Sequence, residues 1–357
     1  MLTNKNKFRQ STSDTIHSSP DAFRENQRRS ALLICALFIL LIISACLGIL
    51  IGSVKIAPGD VWQVLTGVDR SSTAYILITT VRIPRVLGGM LAGMGLACAG
   101  VILQGVMNNS LASPNTIGVN SGSGFAVMIG MIFFPFDTRL LSLFAFAGAF
   151  LTSIAVFWLA YMADSSRTTI ILAGITISSF LNAGINTIKL LDTDISVNLT
   201  AFMLGSLSGL TLSKISLPAI LILTAVIISF FYSAHLNVLG LGDDIARALG
   251  LNVNRSRLFL LLLASVMAGC IVSYSGLLSF IGLIVPHICR RLFGNDSRLL
   301  LPCSALLGAS FVLLCDLVGR VLFAPYELPA GIIMAFIGGP FFLYLLFKKN
   351  GGRRVNA

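Results

Sequence analysis

Charge is scarce in this 357-residue chain. Asp, Glu, Lys and Arg together make up 11% of it, against about 25% in an average soluble protein. With 56% hydrophobic residues and a mean hydropathy of +0.91, no water-soluble fold of this length could cover its apolar surface. Nucleotide-binding signatures are missing too. There is no G-x-x-x-x-G-K-[ST] and not one Gly-Lys dipeptide, so the chain does not cradle ATP phosphates by itself. No H-E-x-x-H occurs, and His17, His235 and His287 stand far apart, which argues against a zinc enzyme. The seven cysteines (Cys35, Cys46, Cys98, Cys270, Cys289, Cys303 and Cys315) include no C-x-x-C pair and read as small buried hydrophobes. Ionisable groups inside the apolar runs are equally scarce. Only Asp316 and Arg320 form such a pair, at the i,i+4 spacing of a local ion pair. An ion-coupled carrier would bury more of them. These absences favour a pore whose energy comes from another subunit, with a secondary carrier as the alternative from a different class.

What the chain does have is long apolar runs. A hydrocarbon core of about 30 Å needs roughly 20 helical residues, and such stretches fall near 31–52, 86–107, 117–134, 140–161, 170–188, 215–234, 299–320 and 328–347. The run from Leu258 to Pro286 is too long for one helix, at about 43 Å, and Ser273-Tyr274-Ser275-Gly276 offers a break. The predicted fold class is therefore an all-α polytopic membrane protein. Ile43-Ser44-Ala45-Cys46 looks like a lipoprotein cleavage site, but the apolar run continues through Gly52. An uncleaved first helix is expected, since a removable signal has a shorter apolar core.

The net charge of +11 sits in tails and short loops, not on one amphipathic face, so it reports topology and not nucleic-acid binding. Two spans in the 258–286 run give about ten helices with both termini cytoplasmic, and put about two thirds of the basic residues inside; a single span puts fewer than half there. Residues 1–30 are expected to be a polar, disordered cytoplasmic tail, residues 31–347 the transmembrane domain, and residues 348–357 a basic cytoplasmic tail. Val197–Leu212 is weakly apolar and suits a re-entrant or surface helix.

The second span carries Gly89, Gly93 and Ala97 at helical spacing, beside Gly88 and Ala92. Rows of small residues let helix backbones approach closely in a bilayer, so this helix is expected at the centre of the bundle.

A series of motifs follows in order. Val81-Arg82-Ile83-Pro84-Arg85 opens the small-residue helix, which ends Gly100-Val101-Ile102-Leu103-Gln104. Asn109-Ser110-Leu111-Ala112-Ser113-Pro114 and Ile117-Gly118-Val119-Asn120 come next, then Met203-Leu204-Gly205-Ser206. The run Gly276 to Arg290 includes Gly282-Leu283-Ile284-Val285-Pro286-His287. Glu327-Leu328-Pro329-Ala330-Gly331 and Gly338-Gly339-Pro340-Phe341 close the series. Together these resemble the FecCD-type permeases of bacterial ABC importers for ferric siderophores, haem and cobalamin. The chain departs from the family at Asn109-Ser110, where a proline is usual.

The resemblance implies a ten-helix permease subunit of the bacterial cytoplasmic membrane, itself not an enzyme. It pairs with a second permease, identical or homologous, with two ATPase subunits and with an extracytoplasmic binding protein. ATP and magnesium belong to the ATPase, and the chain itself holds no cofactor or metal. Ferric siderophore is the expected cargo, with haem or cobalamin the alternative. Arg82, Arg85 and Arg320, at the outer ends of spans, are then expected to dock acidic residues of the binding protein. The loop 239–257 is the expected ATPase contact. Within it, Asp244, Ala246 and Gly250 match the acidic-x-Ala-x-x-x-Gly coupling helix, although the far half of the wider motif is not at its usual distance. The polar row Ser179, Asn182 and Asn186, with Ser178 beside it, is expected to border the translocation path.

Overall fold

The computed structural model describes residues 20–52, 59, 64, 72–135, 137–163 and 166–351. Of the expected tails, residues 1–19 and 352–357 lie outside them. Thirteen helices organise the described residues: α1 (Pro20–Leu50), α2 (Ile83–Val106), α3 (Val119–Phe133), α4 (Thr138–Met162), α5 (Arg167–Leu191), α6 (Thr193–Leu204), α7 (Leu212–Phe231), α8 (Ser233–Gly240), α9 (Asp243–Ala248), α10 (Val253–Ser275), α11 (Ile281–Phe293), α12 (Ser297–Val321) and α13 (Ala330–Gly351). A short turn, Thr73–Ile76, and a π-helical stretch, Leu77–Arg82, lead into α2. Seven of the helices are long and apolar enough to cross a membrane. The apolar helices Val119–Phe133 and Ala330–Leu345 are shorter. The first helix starts at Pro20, eleven residues before the expected span, and so takes up part of the expected tail.

Helix α2 is the axis of the bundle, as its glycines predict. Pro84 sits where the π-helical stretch passes into α2. A Cβ on Gly93 would stand 2.1 Å from the Gly308 carbonyl oxygen of α12, and one on Gly100 would stand 2.2 Å from that of Gly282 on α11. Both crossings therefore bring backbone onto backbone. In lipid, where apolar burial between helices gains little, such close packing is what holds helices together.

The long apolar run does divide. Helix α10 ends at Ser275, Gly276 takes φ 68°, and Phe280, also at φ 68°, caps α11. Within a bilayer, irregular backbone must find partners in the protein, and this segment does. Ser206 N–H donates to the Ser275 carbonyl at 2.8 Å, Leu277 N–H to that of Phe202 at 3.3 Å, and Gly331 N–H to that of Gly205 at 3.0 Å. Three motifs far apart in sequence are thereby tied together. Gly282, at the start of α11, packs against Leu96 and Gly100, so α11 begins partway along α2. The weakly apolar segment near 197–212 forms α6 and then turns at Gly205, φ 66°. At the departure from the family pattern, Asn109 Oδ1 accepts from Leu111 N–H at 2.9 Å, an Asx turn in place of the proline.

Candidate functional site

Three groups of residues singled out in the sequence occupy three different places. The arginines come together at one end of the bundle, but not as an exposed rim. Arg82, Arg85 and Arg320 are only 4%, 6% and 3% exposed. Arg85 donates from Nε to both oxygens of Asp316 (3.1 and 3.0 Å), from Nη2 to Asp316 Oδ1 (2.9 Å), and from Nη1 to Glu327 Oε2 (2.7 Å). Arg320 Nε lies 3.1 Å from Asp316 Oδ2, the local pair its spacing predicts. The remaining donors turn to α1. Arg82 Nη1 donates to the carbonyls of Ile49 and Leu50 (2.6 and 2.8 Å), and Arg320 Nη1 to those of Gly48 and Ile51 (both 3.1 Å). Four successive carbonyls at the C-terminus of α1 would otherwise lack intrahelical donors. Two guanidinium groups satisfy them at the negative end of the helix dipole. A partner's carboxylate could reach these arginines directly only if the network opened.

The expected coupling loop lies at the opposite end. Its helix is α9, and Asp243, its first residue, anchors it. Asp243 accepts from Arg167 Nη2 (2.6 Å) and from Arg257 Nη2 (2.9 and 2.7 Å). Partial burial pushes this carboxyl up, but the two guanidinium groups outweigh it and hold the group below the ordinary carboxylate range. The clamp is therefore complete at neutral pH and is lost only as pH falls through that lowered value. Ala246 is fully buried, Leu251 N–H returns to its carbonyl at 3.0 Å, and Gly250 takes φ 82°, the left-handed end that favours glycine. Asp244 points away from the protein, with Arg247 at 3.9 Å its nearest charge. Ile245 and Leu249, 51% and 63% exposed, lie one turn apart, and Leu241 is exposed beside them. The helix thus offers an apolar face with an acidic corner. Asp244, Ala246 and Gly250 stand out in the sequence, whereas this apolar pair is marked there only by its i,i+4 spacing.

The polar row of α5 divides. Ser179, Asn182 and Asn186 are exposed, and among the described residues their side chains make no hydrogen bond. Thr176 and Thr187 extend the same face, each bonded to its own helix at 2.9 Å. Ser178 belongs elsewhere: it is half-buried, facing Gly118 in the turn before α3.

A fourth group was visible only as motif. Gln104, at the end of α2, donates to the Gly282 carbonyl at 2.8 Å and accepts from Arg290 Nη1. The small-residue helix is thereby fastened to α11 at both Gly100 and Gln104. Among the described residues no cluster of His, Cys, Asp or Glu could hold a metal ion.

A bundle of apolar helices around a glycine-rich axis, with an anchored surface helix at one end and a polar helix face free along its length, defines a polytopic membrane permease. The chain belongs to the FecCD transport family, which it matches over residues 40–348. It is 38% identical over 322 residues to the Fe(3+)-citrate import system permease protein YfmE of Bacillus subtilis, covering 90% of this chain and 96% of that one. It is 34% identical over 324 residues to the hemin transport system permease protein HmuU of Yersinia pestis, covering 89% and 96%. A solved inward-facing structure of a metal-chelate type ABC transporter matches it with a TM-score of 0.78 and 30% identity, over 89% of this chain and 99% of that one. The chain is accordingly a permease subunit of an ABC importer, and any ATP hydrolysis resides in partner subunits.

Proposed function

We propose that this permease carries a ferric chelate of the siderophore class across the bacterial cytoplasmic membrane, driven by two ATPase subunits and fed by an extracytoplasmic binding protein. The relatives' cargoes support an iron chelate, and the single observation that carries the coupling is helix α9. Arg167, Arg247, Arg255, Arg257, Arg290, Arg291 and Arg298 cluster at the α9 end, which by the positive-inside rule faces the cytoplasm. The seven long helices, with α3, α11 and α13 as shorter spans, then give ten crossings with both termini inside.

In this reading Ile245 and Leu249 seat in a groove of the ATPase, and Asp244 faces a basic group beside it. The Asp243 clamp passes the motion to α5 and α10 through Arg167 and Arg257. Ser179, Asn182 and Asn186 line the path, with a second permease across it. Arg82, Arg85 and Arg320 serve docking from within, by bracing the outer rim on which the binding protein sits.

The test is reconstitution of the importer with its ATPase, measuring hydrolysis and uptake of radiolabelled ferric chelate together. Asp244→Lys, and replacement of Gly250 by a bulky residue, should leave insertion and assembly intact but separate hydrolysis from uptake. Normal uptake by both variants would remove α9 from the mechanism. Uptake without the ATPase, collapsed by ionophores, would instead favour a secondary carrier.

A further inference from the structure

A groove of about 540 Å³ lies between the C-terminal turns of α4 and the N-terminal turns of α10; no residue of α9 lines it, but Asn252, Asn254 and Arg255 do and belong to the same loop 239–257. Ile154, Phe157, Trp158 and Leu258 form its apolar walls, and Tyr161 and Arg255 stand at its mouth. Trp158 and Tyr161 are both more than half exposed, and Phe157 stacks on Tyr161 with ring centroids 6.5 Å apart. From Ile154 to Tyr161 the groove runs about 10 Å along α4 at 1.5 Å per residue. That is the depth from the headgroups into the upper acyl region, and rings of this kind settle at that level.

Charge selects the occupant. Arg255 is exposed, and among the described residues its guanidinium meets no carboxylate. Of the two nearest acids in sequence, Asp244 lies beside Arg247 at 3.9 Å and Asp243 is committed to Arg167 and Arg257. The backbone N–H of Arg255 is already taken by Asn252 Oδ1 at 3.1 Å, so the free donor is the side chain and not the helix terminus. We propose that this groove binds an anionic phospholipid, its acyl chain against Trp158, Phe157 and Leu258 and its phosphate on Arg255. Basic pockets between helices at a cytoplasmic surface recognise such headgroups. The inference takes from the proposed function only that this end of the bundle meets a membrane surface.

Trp158 is one of two tryptophans in the chain, the other being Trp62, so the full-length chain carrying Trp62→Phe reports on the groove alone. It would be reconstituted in bilayers containing phosphatidylglycerol or phosphatidylcholine with brominated chains, and quenching of Trp158 followed against lipid fraction. Phosphatidylglycerol should bind about five-fold more strongly, the value of one surface arginine, and added salt should reduce the preference. Arg255→Gln should bring the ratio to about one, while Arg298→Gln, at the same end of the bundle, should leave it unchanged. Native mass spectrometry of the unmutated chain, comparing retained phosphatidylglycerol with phosphatidylcholine, gives a readout independent of any substitution. Absence of quenching, equal quenching by the two lipids, or a choline preference through the Trp158 face would overturn the proposal. So would a ratio that survives Arg255→Gln, or equal retention of the two lipids in the unmutated chain. Both leaflets carry the same lipids here, so the result does not depend on which end faces the cytoplasm.

Discussion

Asp316 is the residue whose loss the fold should tolerate least. It is 2% exposed and serves two guanidinium groups at once, Arg85 through three hydrogen bonds and Arg320 through an ion pair. Asp316→Asn keeps the shape of the side chain and removes the charge. Arg85 then retains a carboxylate in Glu327, at 2.7 Å, while Arg320 has no carboxylate left and keeps neutral acceptors alone, the carbonyls of Gly48 and Ile51 and the new amide oxygen. Removing one partner of a buried pair costs about 3–5 kcal/mol, chiefly because the surviving charge is left uncompensated. With an unfolding entropy of about 2.1 cal/mol/K per residue, a 357-residue chain loses about 1.3 °C per kcal/mol, so the apparent Tm in detergent should fall by about 4–7 °C. Arg320→Ala alone should also destabilise the protein. In Arg320→Ala with Asp316→Ala the two losses should be strongly non-additive, as groups in one network are. The assay is thermal unfolding followed by tryptophan fluorescence, with size-exclusion profiles as a check on assembly. An Asp316→Asn protein within about 1 °C of the parent would refute the reasoning, because it would mean that the two arginines have another source of compensation.

Two further predictions concern the helix packing and the topology. Gly93→Val should prevent assembly of a monodisperse protein, since the contact is with the Gly308 backbone and no side chain can move aside; overpacking of this kind costs about 1–3 kcal/mol or more, and size-exclusion chromatography after extraction would detect it. A reporter active only outside the cytoplasm, fused after Phe347, should be silent, whereas a strong signal would place the C-terminus outside and remove the ten-crossing topology.

Helix existence was legible in the sequence because span-length apolar runs need no partner to declare themselves. The break near Gly276 was legible as well, from length and charge balance. Its reason was not, since the carbonyl of Phe202 that receives Leu277 N–H is supplied by a segment more than seventy residues away. The arginines show the same divide more sharply. Their position at span ends could be read from Val81 to Arg85, and the Asp316–Arg320 pair from its spacing. That Arg82 and Arg320 would turn back to cap α1 could not, because carbonyl groups carry no sequence signature. For α9, glycine and alanine marked the helix, but the exposed pair Ile245 and Leu249 had to be seen outside the packed bundle before it stood apart from the apolar background. The left-handed Phe280 had no signal at all.

The late start of α11 bears on how the chain is made. At 13 residues this helix is about 20 Å long, too short to cross the bilayer on its own, and its last turn carries Arg290 and Arg291. An insertion machinery that releases segments one at a time would have little reason to let it go into lipid. What retains it is already waiting: Gly100 offers a surface flat enough for Gly282, and Gln104 holds both the Gly282 carbonyl in its first turn and Arg290 in its last. Biogenesis of the second half of the protein should therefore depend on α2 as a template made more than 170 residues earlier, and a chain from which α2 is deleted should lose α11 from the membrane even though every residue of α11 is present.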